Sequence, residues 1–88
     1  MLKSKFEIGK KYELSAKTRY VVVDRTETTV TLAELIQGKE YILKPFSVKN
    51  NGEDECVTLD RWDKQHDCYY ELFSYQTVEL AETILMGR

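Results

Sequence analysis

The chain has 88 residues, 42% of them hydrophobic and 32% charged, with a formal net charge of −2. That length sets one domain over residues 1–88 with room for one modest core. The balance excludes a disordered polyelectrolyte, and no apolar run approaches the roughly 20 residues of a membrane span.

The N-terminus, Met1 to Glu7, carries lysines with no apolar stretch behind them, so it does not read as a signal peptide. A cytoplasmic location follows as the expectation, with both cysteines reduced.

Lys11-Tyr12-Glu13-Leu14, after Gly9, is the first strand-like run. Ser15 to Thr18 is a polar break. Arg19-Tyr20-Val21-Val22-Val23-Asp24-Arg25 carries the strongest strand signal, because three valines and a tyrosine favour a pleated backbone. The uninterrupted valines imply that both faces are covered in part, with Tyr20 in or beside the core.

Thr26-Glu27-Thr28 reads as a turn, and Thr29 to Ile36 as the next strand, with Val30 and Leu32 on one face. Gln37-Gly38 turns the chain, since Gly38 accepts positive φ. Glu40-Tyr41-Ile42-Leu43 opens a fourth strand that Pro45 interrupts, which marks an edge or a bend. Tyr41 and Leu43 occupy odd positions and Phe46 and Val48 even ones, the slip a bulge produces.

Asn51-Gly52 predicts a tight two-residue hairpin. That register sets Lys49 against Asp54, Val48 against Glu55 and Phe46 against Val57. A fifth strand runs from Glu55 to Trp62, a polar loop covers Asp63 to Asp67, and Cys68 to Ser74 forms the sixth. Tyr69 and Tyr70 are neighbours on that strand, so one of them faces outward. Val78, Ala81, Ile84 and Leu85 then fall at helical spacing before Gly87, with Ser74 or Thr77 as cap.

The elements add up to a mainly β domain. It reads as a small SH3-like barrel, or a curled antiparallel meander, of five to six strands with a short C-terminal helix.

Catalytic signatures are missing from the sequence. It has one histidine, His66, and no nucleophile elbow, phosphate loop or zinc-protease element. Cys56, His66 and Cys68, with Asp63 or Asp67, form the one conceivable metal set, but no Cys-x-x-Cys pair supports it. A disulfide fails on register: Cys56 lies near Phe73, and Cys68 opposite Trp62 or Arg61. The acids Glu53-Asp54-Glu55, Asp60, Asp63 and Asp67 lack calcium-loop spacing and read as a solvated hairpin tip. The expectation is a domain that is not an enzyme and holds no metal or cofactor.

A binding role fits better. Ten aromatics in 88 residues is a high count; most of them build the core, and exposed ones mark interfaces. From Met1 to Arg25 there are seven Lys or Arg against three acids, and from Asn51 to Arg88 nine acids against three Lys or Arg. The candidate binding residues are Lys10, Lys11, Tyr12, Lys17, Arg19, Arg25, Tyr41, Lys44 and Trp62. Protein–protein interaction through exposed aromatics is the first reading. Nucleic-acid binding by the basic half is the alternative, and a pI of about 5.4 weighs against it. Arg25-Thr26 has two readings: an arginine presented to a ligand's phosphate or carboxylate, or one paired with a neighbouring acid. The edge near Pro45 and the C-terminal helix each offer a contact for a homodimer.

Phe6-Glu7-Ile8-Gly9-Lys10-Lys11-Tyr12, Val21-Val22-Val23-Asp24-Arg25-Thr26 and Thr29-Val30-Thr31, with Gly52-Glu53-Asp54-Glu55-Cys56-Val57, resemble a group of small bacterial proteins. Those proteins are encoded on plasmids, conjugative elements and prophage of gut bacteria. The likeness covers residues 6–59. It implies an accessory domain of a mobile element and transfers no functional residue, because the group has no assigned activity.

Overall fold

The computed structural model describes residues 4–15 and 18–78. These residues form β1 (Lys11–Ser15), β2 (Thr18–Arg25), β3 (Thr29–Ile36), β4 (Lys39–Ser47), β5 (Lys49–Asn50), β6 (Glu55–Asp63), β7 (Cys68–Phe73) and β8 (Thr77–Val78). A five-stranded antiparallel sheet has the order β4-β3-β2-β1-β8, and a three-stranded one the order β5-β6-β7. The mainly β expectation holds. Among the described residues the ladders form two sheets and not one closed barrel.

The chain crosses between sheets twice. Val48 alone separates β4 from β5, and one 3₁₀ turn, Ser74–Gln76, carries β7 into β8 beside β1. Most of the expected C-terminal helix lies outside the described residues. Within them, Ser74–Gln76 is a 3₁₀ turn and Val78 belongs to a strand.

Alternation places the core between the sheets. Tyr20 and Val22 of β2, Val30 and Leu32 of β3, Phe46 of β4, Val57 and Leu59 of β6 and Leu72 of β7 pack with Phe6 and Tyr12. Fully burying an aliphatic or aromatic side chain of this size contributes about 1.5–3 kcal/mol, so the core accounts for most of what holds the sheets together.

The two hairpin signals exchange roles. Ile36 pairs with Lys39, and Gln37 and Gly38 both have positive φ, 52° and 79°, the signature of a type I′ turn. The loop at Asn51-Gly52 is longer than expected. Asn50 pairs with Glu55 and Lys49 with Cys56, which overturns the expected Lys49–Asp54 register. Side chains cause the change. Asn51 Oδ1 accepts from the N–H groups of Glu53 and Asp54 at 3.1 and 2.9 Å, and Asn50 Oδ1 from that of Gly52 at 3.2 Å. Such Asx bonds replace the backbone bonds of a tight turn.

Pro45 lies on β4, an edge strand, and the slip beside it is real. Thr31 pairs with Pro45 but Ala33 with Ile42, so β4 carries one extra residue opposite Leu32.

Candidate interaction surface

Two irregular stretches of strand face each other at one end of the sheets. On β4 the extra residue falls at Leu43-Lys44. On β6, Thr58 pairs with Glu71 and Trp62 with Tyr69, so β6 carries two more residues than β7 across Leu59-Asp60-Arg61. A bulge breaks alternation and re-aims neighbouring side chains. All five residues line one groove of about 350 Å³, completed by Tyr20 and Phe46.

The groove has apolar walls and a charged rim. Leu43, Phe46 and Leu59 supply the walls. Lys44 pairs with Asp60, joining β4 to β6, and Arg61 pairs with Glu34, joining β6 to β3. Tyr20 is 1% exposed, and its side chain lines the groove. Burial pushes its phenol pKa up, with Arg61 opposing and Glu34 adding to the shift.

Exposed aromatics flank the groove. Tyr41, 50% exposed, is two residues before Leu43 on β4. Trp62, 49% exposed, follows Arg61 on β6 and meets Tyr69 edge-on with ring centroids 4.9 Å apart. Tyr69 and Tyr70 are both exposed, whereas alternation alone leaves one of them inside. Tyr70 shares a side of β7 with Leu72, but it stands beyond the packed part of the sheet, opposite the irregular stretch of β6.

The other candidates lie elsewhere. Tyr12, expected to be exposed, is fully buried: its ring packs edge-on against Phe6 at 5.0 Å. Its hydroxyl accepts from Glu7 N–H at 3.0 Å and donates to Lys5 C=O at 3.3 Å, which lets a tyrosine sit in the core. Lys10 pairs with Glu7, Arg19 with Glu13, and Lys11 is half-buried on β1. Lys17 lies outside the described residues. Lys10, Arg19 and Arg25 of the N-terminal half thus each stand against a carboxylate, two of the three within the same half.

Arg25 is held by an acid, the second of its two readings. Its guanidinium forks onto Glu55, Nη1–Oε1 2.6 Å and Nη2–Oε2 2.7 Å, and Nη1 also donates to Phe6 C=O at 3.1 Å. Glu55 is 5% exposed, so the acidic run at the hairpin is not wholly a solvated tip. Its Oε1 accepts from Phe6 N–H at 2.9 Å, and its own N–H donates to Ser74 Oγ at 3.0 Å. Ser74 Oγ meets Ser4 Oγ at 2.7 Å, and Ser4 Oγ donates to Asp54 Oδ1 at 2.6 Å. This network fastens residues 4–6 across the ends of β2 and β6. Arg25 holds the Glu55 carboxyl below the usual carboxylate range, with Phe6 N–H helping.

Cys56 is buried opposite Phe73, as expected, and Cys68 is exposed opposite Asp63, one residue from the expected pair; both are free thiols. His66 Nδ1 lies 2.6 Å from Asp63 Oδ2 on the β6–β7 loop. Among the described residues no group of three or more His, Cys, Asp or Glu gathers as a metal site, and no helix is long and apolar enough to cross a membrane.

Leu59, Asp60, Arg61 and Tyr20 were not among the sequence candidates. A signal existed for the β6 residues: Val57 and Leu59 fall on odd positions and Trp62 on an even one, the same slip that marks Pro45. No protein family matches the chain, and neither does any curated protein or solved structure.

Proposed function

We propose that the chain is a non-enzymatic protein-interaction module whose contact surface is the groove between β4 and β6 with Tyr41 and Trp62 at its sides. The observation that carries this reading is the convergence of two strand irregularities on one apolar groove flanked by half-exposed aromatics. Bulges commonly sit where a sheet re-aims side chains for function, and aromatics dominate the centres of protein interfaces. The two sheets, with a 3₁₀ turn returning the last strand to the first, read as a half-open SH3-like barrel. The likeness to mobile-element proteins belongs to the same proposal, as an accessory role in the cytoplasm.

The nucleic-acid alternative needs cations available to phosphates. Lys10, Arg19, Arg25 and Lys44 each stand against a carboxylate, which favours the protein reading.

Native capture from the source cell tests the proposal. The expected result is a stoichiometric protein retained by the wild type and lost with Tyr41→Ala/Trp62→Ala. Retention of nucleic acid that weakens steeply with salt, with no protein, would overturn it.

A further inference from the structure

We infer that the outer face of the five-stranded sheet, at Val21, Ala33 and Val78, is a docking face for the chain's own residues 79–88, whether or not the groove binds a partner.

Alternation fixes which way these residues point. Tyr20, Val22 and Leu32 belong to the core between the sheets, so Val21 and Ala33, their neighbours in the chain, face away from it. Pairing carries that outer face across the sheet. Val78 stands opposite Lys11, Lys11 opposite Val21, Val21 opposite Ala33 and Ala33 opposite Ile42. A sheet face turned to solvent leaves its side chains open to water. Here the exposure is 8% at Val78, 7% at Val21 and 0% at Ala33, then 72% at Ile42, and none of the four belongs to the core cluster. The next row repeats the step: Arg19 and Leu35 are half-buried and Glu40 is exposed. Side chains that stand beside an alanine leave its methyl open from above. A cover therefore lies over β8, β1, β2 and β3 and leaves β4 open.

Val21 and Ala33 reach this burial in a single chain, so the cover is part of the same chain. Among the described residues every strand lies in one of the two sheets, and the second sheet packs on the other face. Residues 79–88 follow Val78 directly, at the edge of the covered face. From β8 to β3 is three strand spacings, about 14 Å. Ten residues span about 15 Å even when wound as a helix, and more when extended. Their composition suits the face. Leu80, Ala81, Ile84, Leu85 and Met86 supply apolar surface, and the acids Glu79 and Glu82 come first, toward the side that carries Lys11 and Arg19.

The test is methyl NMR of the full chain at low concentration, with alanine, isoleucine, leucine and valine methyls labelled. The expected result is nuclear Overhauser contacts from Val21 and Ala33 to Ala81, Ile84 or Leu85. A soluble gadolinium chelate should broaden the Ile42 methyls and spare that of Ala33. Ile84→Asp/Leu85→Asp should raise the broadening of Ala33 to that of Ile42, while Leu32, Val57 and Leu72 in the core stay protected. Wild-type Ala33 broadened as strongly as Ile42, or in contact only with residues 4–78, would overturn the inference. Contacts that appear only between differently labelled copies would overturn it too, and assign the face to a second copy of the chain. If the variant unfolds, the wild-type contacts and broadening decide.

Discussion

Arg25 and Glu55, 30 residues apart in sequence, meet as a two-bond fork that fastens the N-terminal segment at Phe6. Both side chains are mostly buried, and the carboxylate also takes Phe6 N–H. Removing one partner of a buried pair leaves the other charge stranded, at a cost of about 3–5 kcal/mol. Glu55→Gln should lower the unfolding free energy read from urea titration by that amount, and the midpoint with it. Arg25→Met/Glu55→Leu should recover much of it, since apolar pairs of similar volume replace buried ion pairs well. A Glu55→Gln midpoint equal to wild type would contradict the clasp.

The same pair sets the response to acid. The folded-state pKa of Glu55 lies below its unfolded value, first because of the bond from Arg25. Its contribution is complete above the unfolded value, near 4.5, and is lost as pH falls through the lower folded value. Stability should be flat in this term from pH 8 to 6 and decline in acid. Glu55→Gln should flatten that decline when unfolding is followed against pH.

Tyr12 predicts a spectroscopic signature. Burial raises its phenol pKa despite the bond from Glu7 N–H. Ultraviolet titration of the native chain should show two tyrosines ionising above the ordinary range, Tyr12 and Tyr20, and one fewer in Tyr12→Phe. That variant should lose about 1–3 kcal/mol, the net worth of the two hydrogen bonds its hydroxyl makes.

The thiols should separate cleanly. Cys68 is exposed, while Cys56 is buried and its pKa is raised by desolvation. A disulfide-forming dye should titrate one thiol in the native chain and two after unfolding. Cys68→Ser should remove the fast phase.

Much of the fold was legible because its signals are local. The β3 bounds, the turn at Gln37-Gly38 and the slip at Pro45 each follow from alternation or backbone freedom within a few residues. The Asn51-Gly52 register failed because asparagine side chains and the Ser4–Asp54 bond compete with the backbone there. Tyr12 was misplaced because alternation shows two faces without saying which one meets the second sheet. Glu55 looked like surface because its partner is distant in sequence. The groove was half legible: each slip can be read from its own strand, but only the packing of the two sheets sets Leu43-Lys44 against Leu59-Asp60-Arg61.

Trp62 and Tyr69 test whether the exposed aromatics serve binding or stability. Their edge-on contact is worth about 0.5–1.5 kcal/mol at most. Trp62→Ala should therefore shift the melting temperature little and still abolish partner capture. Unfolding of the variant at room temperature would assign the pair to structure instead.

The central claim, that this chain binds protein through the groove end of its sheets, is tested most directly by mapping a captured partner onto its backbone amides. The account predicts perturbed amides at Tyr41, Leu43, Lys44 and Leu59 to Trp62, with a shallow dependence on salt. Perturbation centred on Lys10, Lys11 and Arg19, with affinity falling steeply as salt rises, would contradict it.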